Sequence, residues 1–127
     1  MAKRILVVDD SRIMRELCRG ILQKAGYEVV EAWDAHQART ALKQGDIALM
    51  FCDLNIPGVN GLDLVEAMRH APELAELPVV MVTVDRSPDM LARAQRAGIR
   101  EWLSKPFDAN TLRALAERFV GPPQQDP

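Results

Sequence analysis

The chain has 127 residues, 16 of them basic and 18 acidic for a formal charge of −2, with 48% hydrophobic and 27% charged residues. At roughly 100–200 residues per domain this is one domain, and its averages exclude collagen-like, disordered, coiled-coil and disulfide-scaffold classes. The near-neutral balance gives no electrostatic basis for nucleic-acid or membrane-surface binding, so partners are expected to be proteins or small ligands.

Between Met1 and the first aspartates only residues 5–8 are continuously apolar, too few for a secretion signal of roughly 7–15 such residues. No run approaches the ~18 apolar residues of a membrane span, and a cytoplasmic location is expected. Residues 5–8 (Ile-Leu-Val-Val) read as a first buried strand. From Ile13 apolar residues fall at Met14, Leu17, Cys18, Ile21, Leu22 and Ala25, a helical stripe that Gly26 stops. Residues 27–32 form a weaker second strand, and Asp34 caps a helix over 35–44 that Gly45 ends.

Residues 47–52 are apolar throughout, as a strand covered by helices on both faces should be. A loop with Pro57, Gly58 and Gly61 leads to a helix over 62–70, and Pro78 precedes a strand over 79–82. Ser87-Pro88 supplies the cap and first residue of a helix closed by Gly98. Residues 101–104 make a short fifth strand, Asp108 caps a last helix to about Val120, and 121–127 are expected to be a disordered tail after a domain over 1–120. Cys18 and Cys52 are the only cysteines, with no ligand-spaced partners, and read as buried thiols in a reducing compartment. Strands alternating with helices imply an α/β, doubly wound parallel sheet of five strands and five helices.

Ligand chemistry in such a sheet gathers at the carboxyl ends of the strands. The first strand ends in Asp9-Asp10, the third in Asp53, the fourth in Thr83 and the fifth in Lys105-Pro106. Three carboxylates that close repel one another unless a cation sits among them, and a hard divalent ion such as Mg²⁺ suits their oxygens. Thr83 and Lys105 add donors suited to phosphoryl oxygens.

The strings Val7-Val8-Asp9-Asp10-Ser11 and Asp53-Leu54-Asn55-Ile56-Pro57-Gly58, with Thr83 and Lys105-Pro106, resemble the receiver domain of bacterial two-component response regulators. The resemblance covers residues 3 to about 120 and implies the flavodoxin-like strand order 2-1-3-4-5. It implies that Asp53 takes a phosphoryl group from a sensor histidine kinase or phosphotransfer protein. Asp10, Asp53 and the Asn55 carbonyl would ligate Mg²⁺, Asp9 would act through bound water, and Lys105 and Thr83 would hold the phosphoryl oxygens. It also implies a cis Lys105-Pro106 bond, a Thr83–Trp102 switch, and a partner face made of the fourth helix, fifth strand and fifth helix. The expected product is a stand-alone signalling switch rather than an enzyme, monomeric or weakly dimeric.

Three positions depart from the common pattern. Val84 follows Thr83 where Ala, Gly or Ser is usual and puts a branched side chain at the mouth of the site; Asn60 replaces a frequent Asp; Trp102 stands where Tyr or Phe is common. Asn55 and Asp85 flank the site and would tune hydrolysis. Arg86, Arg93, Arg96 and Arg100 bracket the fourth helix and are read as a solvated face with an Asp89–Arg93 i,i+4 pair rather than a docking patch. His36 and His70 have no ligand-spaced partner.

A haloacid-dehalogenase-type phosphatase fails on spacing, because Ser11 and Arg12 follow Asp10 where an acid/base Asp is required. A nucleotide-binding turn fails for want of glycine after the first strand. A receiver fold used as a phosphate-independent binding module is the alternative, suggested by Val84 and Trp102.

Overall fold

A computed structural model describes residues 4–84, 87–99 and 101–123. Asp85, Arg86, Arg100 and the last four residues of the expected tail lie outside the described residues. The elements run β1 (Arg4–Val8), α1 (Arg12–Lys24), β2 (Glu28–Ala32), α2 (Ala35–Gln44), β3 (Ile47–Asp53), α3 (Gly61–Met68), a 3₁₀ turn (Pro72–Leu74), β4 (Val79–Thr83), α4 (Pro88–Arg96), β5 (Glu101–Ser104) and α5 (Ala109–Val120). The five strands form one sheet in the order β2-β1-β3-β4-β5, every neighbouring pair parallel. This is the doubly wound α/β fold.

Period-two alternation splits each strand between two cores. Leu6, Val8, Met50, Cys52 and Met81 face one side and meet the buried stripes of α2 and α3 together with Ala94 of α4. Ile5, Val7, Leu49, Phe51, Val80 and Leu103 face the other and meet Cys18 and Leu22 of α1 with Leu112 and Ala116 of α5. The two cysteines therefore sit in different cores, both free and buried. Burial, followed by the nearby Asp9 charge, pushes the Cys18 thiol up to about 12, so it is an inert apolar filler.

Helix starts follow the local code. Ser11, Asp34, Ser87 and Asp108 each accept a hydrogen bond from the amide three residues on, and Asn60 does so from Leu62 N. The bonds that Asp108 accepts from Thr111 hold its carboxyl below the ordinary value. Boundaries shift where the chain turns. β2 begins one residue later than expected because Tyr27 N–H closes the end of α1 by donating to the Leu22 carbonyl across Gly26, whose φ is +103°. α3 stops at Met68, two residues short of His70, because Pro72 disfavours helix before it and the last bonds tighten to Ala71 N–Met68 O. β3 and β4 each run one residue further, so Asp53 and Thr83 are their last residues. Of the tail, residues 121–123 pack on the α1–β2 turn: Tyr27 Oη donates to the Gly121 carbonyl at 2.7 Å.

Among the described residues no helix is long and apolar enough to cross a membrane.

Candidate functional site

Burying a polar side chain is costly without partners, and the described chain buries Asp9, Asp53 and Thr83 (3%, 7% and 1% exposed). All three lie at the carboxyl edge of the sheet. The parallel register sets Val8 beside Cys52, Asp53 beside Val82 and Thr83 beside Ser104. Asp9 thus leaves β1 next to the end of β3, and Lys105 leaves β5 next to the end of β4. Lys105 N donates to the Thr83 carbonyl at 3.2 Å, and the Lys105–Pro106 bond is cis.

Lys105 Nζ stands 2.9 Å from Asp9 Oδ2 and 2.9 Å from Asp53 Oδ2, bridging both buried carboxylates. Backbone amides take the remaining oxygens: Ser11 N donates to Asp9 Oδ1 at 2.9 Å and Asn55 N to Asp53 Oδ1 at 3.2 Å. Burial raises the Asp53 carboxyl above its ordinary pKa, and the bonds from Lys105 and Asn55 oppose that rise. For Lys105 burial pulls the ammonium down, but the bonds to Asp9 and Asp53 outweigh it and the net shift is upward.

Asp10 is exposed at the rim, yet Asp9, Asp10 and Asp53 offer oxygens all within 4.8 Å of one another. One ammonium cannot neutralise three carboxylates so close together. The donor set is hard, anionic and partly open to solvent, which fits a divalent cation of the Mg²⁺ type. No second group of metal-binding side chains occurs among the described residues, and His36 and His70 are exposed.

The arrangement brings a buried carboxylate, Asp53, together with the acidic cluster, the Thr83 hydroxyl and the Lys105 ammonium at one edge of the sheet. Residues 5–117 match the family described as response regulator receiver domain. The chain belongs to that family. This receiver is 37% identical over 117 residues to the chemotaxis protein CheY-3 of Vibrio cholerae serotype O1, spanning 91% of this chain and 90% of that protein. It is 35% identical to the chemotaxis protein CheY of Pseudomonas aeruginosa, over 91% and 94% of the two chains. Its fold matches the crystallised V. cholerae chemotaxis protein CheY4 with a TM-score of 0.88 at 31% identity, covering 94% of this chain and 99% of that one. The receiver domain of NtrX from Brucella abortus matches at 0.82 and 36% identity, over 91% and 97%.

Within the receiver, Val84 is 73% exposed at the end of β4. Trp102 is half-buried: it packs against the core beneath α4 and lines a groove of about 580 Å³ with Leu91, Gln95, Gly98 and Ile99. Asn55 is exposed and forms an isolated antiparallel bridge with Asn60, the cap of α3.

The expected Asp89–Arg93 pair is corrected. Arg93 instead crosses to α3 and binds Glu66 and Asp63. That seam is partly screened from water, which strengthens a charge pair relative to one on the open face of α4. Sequence reasoning also missed Arg15, whose Nη1 donates to the Asp9 carbonyl at 2.8 Å while its guanidinium lies 5.5 Å from the Trp33 ring. Arg15 follows Asp9 by six residues across the β1–α1 turn, a spacing that carried no local signal. Gly61 was read only as a loop residue, although it abuts the Asp53 carbonyl.

Proposed function

We propose that this receiver is a phosphorylation-controlled switch in which Asp53 is the phosphoacceptor. The observation that carries this reading is the gathering of the buried carboxylates Asp9 and Asp53 around Lys105 Nζ, with Thr83 at the adjoining strand end. The donor is a phosphohistidine on a sensor kinase or phosphotransfer protein. An Asp53 carboxylate oxygen attacks phosphorus, the new O–P bond forms as the N–P bond breaks, and the imidazole leaves with the electron pair and takes up a proton. Lys105 exchanges a carboxylate contact for a phosphoryl oxygen, and the Thr83 hydroxyl donates to another. Asp10, Asp53 and the Asn55 carbonyl would hold Mg²⁺, with Asp9 acting through water. Bound there, the ion offsets the charge that otherwise repels an anionic donor. The site works from the cytoplasm on protein partners through α4, β5 and α5.

Signal output is read at Trp102. A ligand shifts a two-state element only by its differential affinity for the two states. The phosphoryl group must therefore bond Thr83 better in one arrangement, drawing the β4–α4 loop inward and changing the space around Trp102. With Trp33→Phe leaving Trp102 as the one indole, its emission should change on adding Mg²⁺ and beryllofluoride, and Thr83→Ala should remove that change. An equal response in both backgrounds would clear Thr83 of coupling; no response in the parent would favour phosphate-independent binding.

Val84 projects into solvent beside this site. Val84→Ala should speed labelling by acetyl phosphate and leave stability within about 0.5 kcal/mol, as exposed substitutions do. Unchanged labelling rates would place the methyls outside the donor's path.

A further inference from the structure

Two arginines join α3 and α4, reaching in opposite directions. From α4, Arg93 sets Nε 3.0 Å from Glu66 Oε2 and Nη2 2.6 Å from Glu66 Oε1, a side-on bidentate pair, and Nη2 also bonds Asp63. From the end of α3, Arg69 donates to the Ala97 carbonyl at the end of α4 (3.0 Å) and to the Leu74 and Leu77 carbonyls (2.9 and 2.7 Å). Apolar packing holds α4 only lightly: Ala94 is its one buried residue, whereas α3 buries Leu62, Leu64, Val65 and Met68. The position of α4 therefore draws on polar ties to α3 as well as on the packing of Met90, Ala94 and Ala97 against the core.

α3 in turn starts on the proposed phosphoacceptor. Gly61 N donates to the Leu54 carbonyl at 2.7 Å, and Gly61 lies against the backbone of Asp53. A shift of the chain just after Asp53 thus reaches Asp63 within the first turn of α3. The hydrogen bond from Arg93 is the main cause that holds the Glu66 carboxyl below its ordinary pKa.

We infer that the Arg93–Glu66–Asp63 brace holds α4 in its resting position, so that phosphorylation acts on α4 through α3 as well as through Thr83. This rests on the phosphoacceptor reading of Asp53. By linkage, a contact that stabilises the resting state weakens binding of the phosphoryl group by the same factor by which phosphoryl binding weakens the contact. Loosening the brace therefore tightens phosphoryl binding.

The test titrates the full chain, in the Trp33→Phe background with Mg²⁺ present, with beryllofluoride and follows Trp102 emission. Arg93→Met and Glu66→Gln should each tighten apparent binding by about fivefold. The charge exchange Arg93→Glu with Glu66→Arg should return it toward the parent value, which separates the ion pair from general loosening of the helix. Unchanged or weaker binding in both single variants, or no recovery in the exchange, overturns the brace. A parent that neither binds the mimic nor takes up phosphate on Asp53 overturns the phosphoacceptor reading first and the brace with it, an outcome recognisable before any brace variant is made.

Discussion

Asp53→Asn is expected to abolish uptake of a phosphoryl group from acetyl phosphate, read as loss of the mass increment on the intact protein. An amide nitrogen and carbonyl cannot replace the carboxylate oxygen that must form the O–P bond. Chelation of Mg²⁺ should abolish labelling of the parent as well, since Asp9, Asp10 and Asp53 crowd their oxygens within 4.8 Å and repel an anionic donor. Robust labelling of the variant, or full labelling in chelator, would sink the assignment. Loss of fold is a separate question with its own expected answer. Burial raises the Asp53 pKa in the folded state despite the bonds from Lys105 and Asn55. A raised folded value means the native chain keeps that proton to higher pH than the unfolded chain, so the contribution to stability is full at acid pH and is lost as pH rises through the raised value. Asparagine does not titrate and keeps an oxygen for Lys105. The variant should therefore be at least as stable as the parent at neutral pH and show a shallower fall in stability on leaving the acid range, measured by urea unfolding across pH.

Among the glycines of the described residues, Gly61 is the one where a methyl is expected to meet backbone atoms most closely, so Gly61→Ala is expected to be strongly destabilising. A Cβ at position 61 would overlap the Asp53 carbonyl oxygen and press on Leu54 Cα at 3.1 Å, both of them backbone atoms that cannot swing aside. Overpacking of this kind costs about 1–3 kcal/mol or more, and here it also forces α3 away from Asp53. The same substitution at Gly20 should act in the opposite sense. Gly20 lies inside α1, a Cβ there meets nothing within 4 Å, and replacing a mid-helix glycine by alanine gains about 0.5–1 kcal/mol. Urea unfolding of the two variants checks both signs; a stable Gly61→Ala protein with normal labelling would show that the β3–α3 loop yields.

Local chemistry determined much of this protein from its sequence. Apolar runs and helical stripes set the order of strands and helices, and Ser11, Asp34, Ser87 and Asp108 marked helix starts because a cap depends on an amide only three residues away. Asp9, Asp10, Asp53, Thr83 and Lys105 were legible as a group because parallel strands deliver their carboxyl ends to one edge. Tertiary structure decided what depends on distant neighbours. Arg93 had a local carboxylate at Asp89 but pairs with Glu66 and Asp63, 27 and 30 residues away, because packing of α3 against α4 brings those oxygens into a partly desolvated seam. Cys52 on β3 and Cys18 on α1 went to opposite cores because α1 packs on the sheet face that Cys52 points away from, and Gly61 met the backbone of Asp53 only when α3 folded back on that strand end. A sequence shows which groups a segment offers, whereas the choice among competing partners is made by the water-excluding contacts that form only when the elements pack.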